Sequence, residues 1–150
     1  MTQRFDLTQV APAGYKAMLG VHSYVQASDL DIGLLELVKM RISQINGCAF
    51  CIAMHVPLAR EHGITDHQLH LLAAWREAGA VFDAPTHAAL AWAEALTSLT
   101  GGEVPDAVYI ELARHFTAKQ IADLSFAVVE INSWNRLMIA SRTPPQIGTR

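Results

Sequence analysis

Along this chain the apolar positions recur at helical rather than strand spacing. In "PAGYKAMLGVHSYVQAS" Met18, Val21 and Val25 fall three and four apart, so a first helix is expected there. Asp29 or Asp31 can cap a second, on which Leu34, Leu35, Val38, Ile42 and Ile45 share a side until Asn46-Gly47 breaks it. A third opens at or just after Gly47 and runs to about His62, with Gly63 placed to close it. Pro57 lies inside that segment and removes a bond to the carbonyl of Ala53, which predicts a kink or an early end. Thr65 or Asp66 starts a fourth through "HQLHLLAAW", and Asp83 a fifth, "APTHAALAWAEALTSL", that stops at Gly101-Gly102. Pro105 suits the first turn of a sixth, "DAVYIELARHF". Thr117 with Gln120 three residues on forms a capping box for the last, "IADLSFAVVEINSWNRLMIA". Apolar residues leave that helix little free face, so it belongs at the centre or at an interface. The tail "SRTPPQIGTR" is expected to be loosely ordered. No stretch alternates cleanly, and the fold class expected is all-α.

Length agrees with one domain over residues 1–150, its core spanning about 15–140. Composition adds one thing: 51% of the residues are hydrophobic and only 17% charged. A single core of this size does not easily hide so much apolar surface, so a homo-oligomer is expected. A net charge of -3 gives no electrostatic case for nucleic acid. The start "MTQRFDLTQVAPAGYK" has no signal-peptide pattern, and no uncharged run reaches the ~20 residues of a membrane helix. The expected setting is the cytoplasm, where two cysteines are more often reactive or metal-binding than structural.

Both cysteines lie in "RISQINGCAFCIAMH". If the third helix starts near Gly47, then Cys48, Cys51 and His55 at i, i+3 and i+7 share one face. Cys48 falls in the first turn, where free backbone N–H groups and the helix dipole favour a thiolate. His55, one turn past Cys51, is within reach as a base. Such a pair needs no cofactor for thiol–disulfide chemistry. Heme attachment would need a histidine at position 52, where Ile52 stands. Structural zinc would need a fourth ligand, for which His62 or a partner's histidine is the available source. Two incidental cysteines on a core face remain the plain alternative.

Glu36 interrupts the apolar "GLLELVKM". A carboxylate in such surroundings can trade protons near neutral pH; the alternative is a solvent-facing side chain paired with Lys39. His22, His62, His67, His70, His87 and His115 read mostly as surface or satisfied core residues. Trp75, Trp92 and Trp134 read as core or interface packing, Asn132 and Asn135 as buried hydrogen-bonding groups, and Glu94 as solvent-exposed, the alternative being a second buried acid near the site.

The set Glu36, Cys48, Cys51 and His55 resembles the E-x11-C-x2-C-x3-H pattern of the AhpD-like alkylhydroperoxidases, within the carboxymuconolactone decarboxylase superfamily. The likeness runs from about Leu34 to Ala140 and includes "LLAAWREAGAVF", "ALAWAEALTSL" and "INSWNRLMIA". It implies an all-helical domain of about six to seven helices, with CxxC opening a central one, assembled as a trimer or hexamer. It further implies that Cys51 is the peroxidatic cysteine and Cys48, the more accessible sulfur, the resolving one. His55 and Glu36 would form a proton relay joined through an ordered water. A peroxide would be the substrate, and a dithiol or a lipoylated protein the reductant. Two departures stand out: Ala49 and Phe50 occupy the inter-cysteine positions, where a histidine is found in the well-known member, and Pro57 follows His55. Decarboxylase members lack the cysteine pair, which makes that activity a less favoured alternative. A non-enzymatic redox-sensing or assembly protein would use the same dithiol.

Overall fold

Among the described residues, 2–99 and 101–145, the computed structural model contains eight α-helices and no strand. They are α1 (Leu7–Val10), α2 (Pro12–Gln26), α3 (Ile32–Asn46), α4 (Ala49–Glu61), α5 (Asp66–Leu71), α6 (Ala84–Thr97), α7 (Asp106–Leu112) and α8 (Ala118–Ser141). Short 3₁₀ turns at Leu72–Ala74 and Gly79–Val81 lead from α5 to α6. No described helix is long and apolar enough to cross a membrane.

Local chemistry sets most of these boundaries. Asp31 accepts the backbone N–H of Leu34 at 2.8 Å and opens α3, and Gly47 closes it at φ 71°, a conformation that glycine adopts without strain. Thr117 and Gln120 form the expected capping box of α8, and Thr65 and Gln68 form another on α5. Buried residues run unbroken from Gly33 to Met40 because α3 is enclosed by α4, α6 and α8. Gly33 permits that enclosure, since a Cβ there would stand 3.0 Å from the His62 carbonyl oxygen. Ala88, Ala89 and Ala93 of α6 and Ala127 of α8 are buried small residues that let these helices approach closely. Leu35, Ile42, Leu72, Leu90, Leu124 and Ile131 are fully buried, each worth about 1.5–3 kcal/mol over an exposed position. Helix α8, about 36 Å long by its 24 residues, packs on α2, α3, α4 and α6 and is the expected central element.

Several expectations need correction. Helix α1, capped by Asp6 through the Thr8 N–H at 2.8 Å, has no counterpart among the seven expected helices. Pro57 neither shortens α4 nor ends it early: the helix continues to Glu61, and Pro57 sits on its exposed side, where water can serve the freed Ala53 carbonyl. The fourth helix stops at Leu71, the fifth at Thr97 and the sixth at Leu112, each earlier than expected. Pro105 precedes α7 as its N-cap instead of lying in its first turn. The tail begins in order, with Ser141 inside α8, Arg142 in the left-handed region and the Thr143 N–H bonded to the Met138 carbonyl at 3.1 Å. Its last part, residues 146–150, lies outside the described residues.

Candidate active site

The turn between α3 and α4 positions the cysteines. After Gly47 the Cys48 N–H returns to the Ser43 carbonyl at 2.9 Å, which makes Cys48 the N-cap of α4. Asn46 in the same turn donates to the side-chain oxygens of Asn132 and Asn135, each at 2.9 Å. Asn135 donates in turn to Ser43 Oγ at 3.0 Å. These bonds anchor the turn to α8 and bear out the buried-amide role expected of the two asparagines.

Cys48 and Cys51 are joined as a disulfide, their Cα atoms 5.4 Å apart. Cys48 Sγ also accepts the backbone N–H of Cys51 at 3.3 Å. Both residues are 1% exposed, so Cys48 is not the more accessible of the two. The two differ instead in the space they face. Cys51 borders a cavity of about 480 Å³, whereas Cys48 borders a smaller one of about 270 Å³ beside Arg142 and Pro144. Phe50, Met138 and Thr143 line both.

His55 and Glu36 are buried and in direct contact, Nδ1 to Oε2 at 2.6 Å. No water separates these two atoms, which corrects the expected water-linked relay, and Glu36 neither faces solvent nor pairs with Lys39. With Nδ1 held by the carboxylate, the imidazole's Nε2 is buried without a hydrogen-bond partner among the described residues. His55 borders the same cavity as Cys51, one helical turn away. A base oriented by a carboxylate beside a cysteine is the arrangement that activates a thiol.

Three functional candidates were not anticipated. Lys39 is 1% exposed, and its Nζ lies 3.1 Å from Glu130 Oε2. The other oxygen of Glu130 meets His22 Nδ1 at 2.8 Å, and both His22 and Glu130 border the Cys51 cavity. Burial pushes the Glu130 carboxyl up, but the His22 bond and the Lys39 charge outweigh it and hold the group below the usual carboxylate range. A signal was present in "AVVEINSW", where a lone glutamate breaks an apolar run as Glu36 does. Glu94 corrects in the other direction: it is half-buried and bound by Arg41 Nε at 2.6 Å, Arg76 Nη2 at 2.7 Å and Trp75 Nε1 at 2.9 Å. Trp75 and Trp92 are packing residues with satisfied N–H groups, whereas Trp134 borders the cavity, edge-on to Tyr15.

Comparison with known proteins gives a consistent picture. The family model for the carboxymuconolactone decarboxylase family matches residues 12–95. The uncharacterized protein YdfG of Bacillus subtilis is 39% identical over 140 residues, covering 93% of this chain and 95% of its own. A solved structure from Agrobacterium tumefaciens, of unknown function and named for a suspected AhpD antioxidant-defence role, is 33% identical. It superposes with a TM-score of 0.93 over 97% of this chain and 99% of its own. The debrominase Bmp8, 18% identical with a TM-score of 0.79 over 90% of this chain and 72% of its own, shares the fold.

Proposed function

We propose that this chain, which belongs to the carboxymuconolactone decarboxylase family and has the AhpD-like fold, is a thiol-dependent hydroperoxide reductase. The observation that carries the proposal is the buried 2.6 Å contact of His55 with Glu36 beside the Cys48–Cys51 pair. In the reduced protein His55 Nε2 takes the proton of Cys51, while the Glu36 carboxylate orients the ring through Nδ1. The Cys51 thiolate attacks the terminal oxygen of the hydroperoxide, forming an S–O bond as the O–O bond breaks. An alcohol leaves, and Cys51 becomes a sulfenic acid. Cys48 displaces water from that sulfur and forms the disulfide.

An external dithiol closes the cycle. Its thiolate attacks Cys48 from the smaller cavity and releases Cys51, and its second thiol then frees Cys48. The net reaction converts one hydroperoxide and one dithiol to an alcohol, water and a disulfide. The dithiol would be a small molecule or a lipoyl group carried by a protein. We also assign this chain to a homo-oligomer, supported by Phe126 and Val129 of α8, 49% and 57% exposed on one face.

The test is peroxide consumption with dithiothreitol as reductant. Turnover by the protein, abolished in both Cys51→Ser and Cys48→Ser, is expected. Reversible disulfide formation without peroxide turnover would contradict the proposal and favour a redox-sensing role for the same pair.

A further inference from the structure

We propose that His22 is a second acid–base residue of this site, supplying the proton that the departing oxygen of the peroxide requires. The proposal rests on the hydroperoxide reductase function argued above. In-line displacement at oxygen sends the leaving group away from the attacking sulfur, across the cavity and away from the helix that bears Cys51. His55 stands on that same helix and is committed to the thiol. A proton for the leaving oxygen is therefore best supplied from another wall.

Four ionisable side chains border the cavity from other elements: Asp6, Tyr15, His22 and Glu130. The Thr8 hydroxyl bond holds Asp6 below the usual carboxylate range, so it is no proton source near neutrality. Glu130 is kept ionised by its two partners. A phenol such as that of Tyr15 is a poor acid at neutral pH, whereas an imidazole trades protons there. The His22 side chain is 42% exposed, and its Nδ1 is fixed by Glu130 Oε1 at 2.8 Å. Its Nε2 makes no hydrogen bond among the described residues, and His22 lines the cavity that Cys51 borders. Glu130 lies buried between His22 and Lys39 and holds the imidazole through Nδ1. The cluster thus pairs a carboxylate with an imidazole a second time, beside the Glu36–His55 pair.

In the step proposed, His22 begins as an imidazolium. The Cys51 thiolate bonds to the terminal peroxide oxygen, and the electron pair of the broken O–O bond passes to the leaving oxygen. That oxygen takes the proton from His22 Nε2 and departs as an alcohol, while the sulfur, oxidised by two electrons, carries the hydroxyl. The neutral imidazole regains its proton from water.

The experiment compares two oxidants on the pre-reduced protein and on His22→Gln, a change that retains a donor toward Glu130 but no transferable proton. tert-Butyl hydroperoxide releases a strongly basic alkoxide, whereas peracetic acid releases a carboxylate that needs no proton. A loss of roughly 10²-fold is expected in His22→Gln with tert-butyl hydroperoxide, and less than about threefold with peracetic acid. Their ratio within one sample does not depend on the fraction folded. Equal losses with both oxidants, or none with the first, would overturn the role of His22. If the unsubstituted protein reacted with neither, the hydroperoxide reductase function itself would fail and this role with it. Alkylation of Cys51 by iodoacetamide at an unchanged rate in His22→Gln is also expected, because thiol activation belongs to His55. A slowed alkylation would assign His22 to positioning instead.

Discussion

Glu36 and Lys39 lie three apart on α3, and each is buried against a different partner, His55 for one and Glu130 for the other. An i, i+3 spacing of opposite charges reads naturally as a surface pair, and here it is not one. What decides the outcome is enclosure of α3 on all sides, which no local pattern reveals. The cysteines and His55 were legible because their spacing on one helix depends only on helical geometry. The pairing of Glu36 with His55 came from family likeness, and its directness came from the structure. In the proposed mechanism the Glu36 carboxylate, 2.6 Å from Nδ1, orients the His55 ring as a base. Glu36→Gln can still accept the Nδ1 hydrogen bond but removes the carboxylate charge from the relay. Oxidation of the reduced protein by cumene hydroperoxide should slow by roughly 10²-fold in this variant, as read by stopped-flow kinetics. A rate within threefold of the parent would remove Glu36 from the relay.

At the level of elements, capping signals were the most readable feature, as Asp31, Thr65, Asp83 and Thr117 all cap helices through their side chains. Pro57 brings no early end to α4 because it lies on the exposed side, where solvent can meet the lost hydrogen bond. The attachment of α2 to α8 was invisible in the sequence. It includes the His22–Glu130 contact and the Tyr24 hydroxyl donating to Asp123 Oδ1, both at 2.8 Å, beside the ring contacts of Tyr15 with Trp134 and of Tyr24 with Phe126. Burial pushes the Asp123 carboxyl up, but its bonds from Lys119 and Tyr24 outweigh this and hold it below the usual range, as for Glu130. Both carboxyls thus hold protons less readily in the folded chain than in the unfolded one. Their contribution to stability is complete above the ordinary carboxylate range and is lost as pH falls through the lowered folded values. Denaturant unfolding should show stability level with respect to these groups down to about pH 4, then declining. Asp123→Asn should flatten that decline, and an unchanged decline would show that this attachment contributes little.

For the whole molecule, the all-helical class follows from helical periodicity, and the match over residues 12–95 places the chain in its family. That α8 lies at the centre or at an interface was also legible, from the scarcity of polar residues on it, and it packs on α2, α3, α4 and α6. The division of space around the disulfide was not. Separate cavities border Cys51 and Cys48, with Phe50 between the cysteines lining both, and this arrangement arises only when α2, α4, α8 and the chain after α8 come together. In the proposed cycle it would give a peroxide and a thiol separate approaches to the two sulfurs. The account depends most on the cysteine pair itself passing two electrons to a hydroperoxide. The direct measurement mixes the fully reduced protein with one equivalent of cumene hydroperoxide and no other reductant. Thiols, alcohol and disulfide-linked peptides are then quantified. One alcohol formed, two thiols lost and a Cys48–Cys51 link per chain is the predicted result; retention of both thiols with the peroxide intact would contradict it.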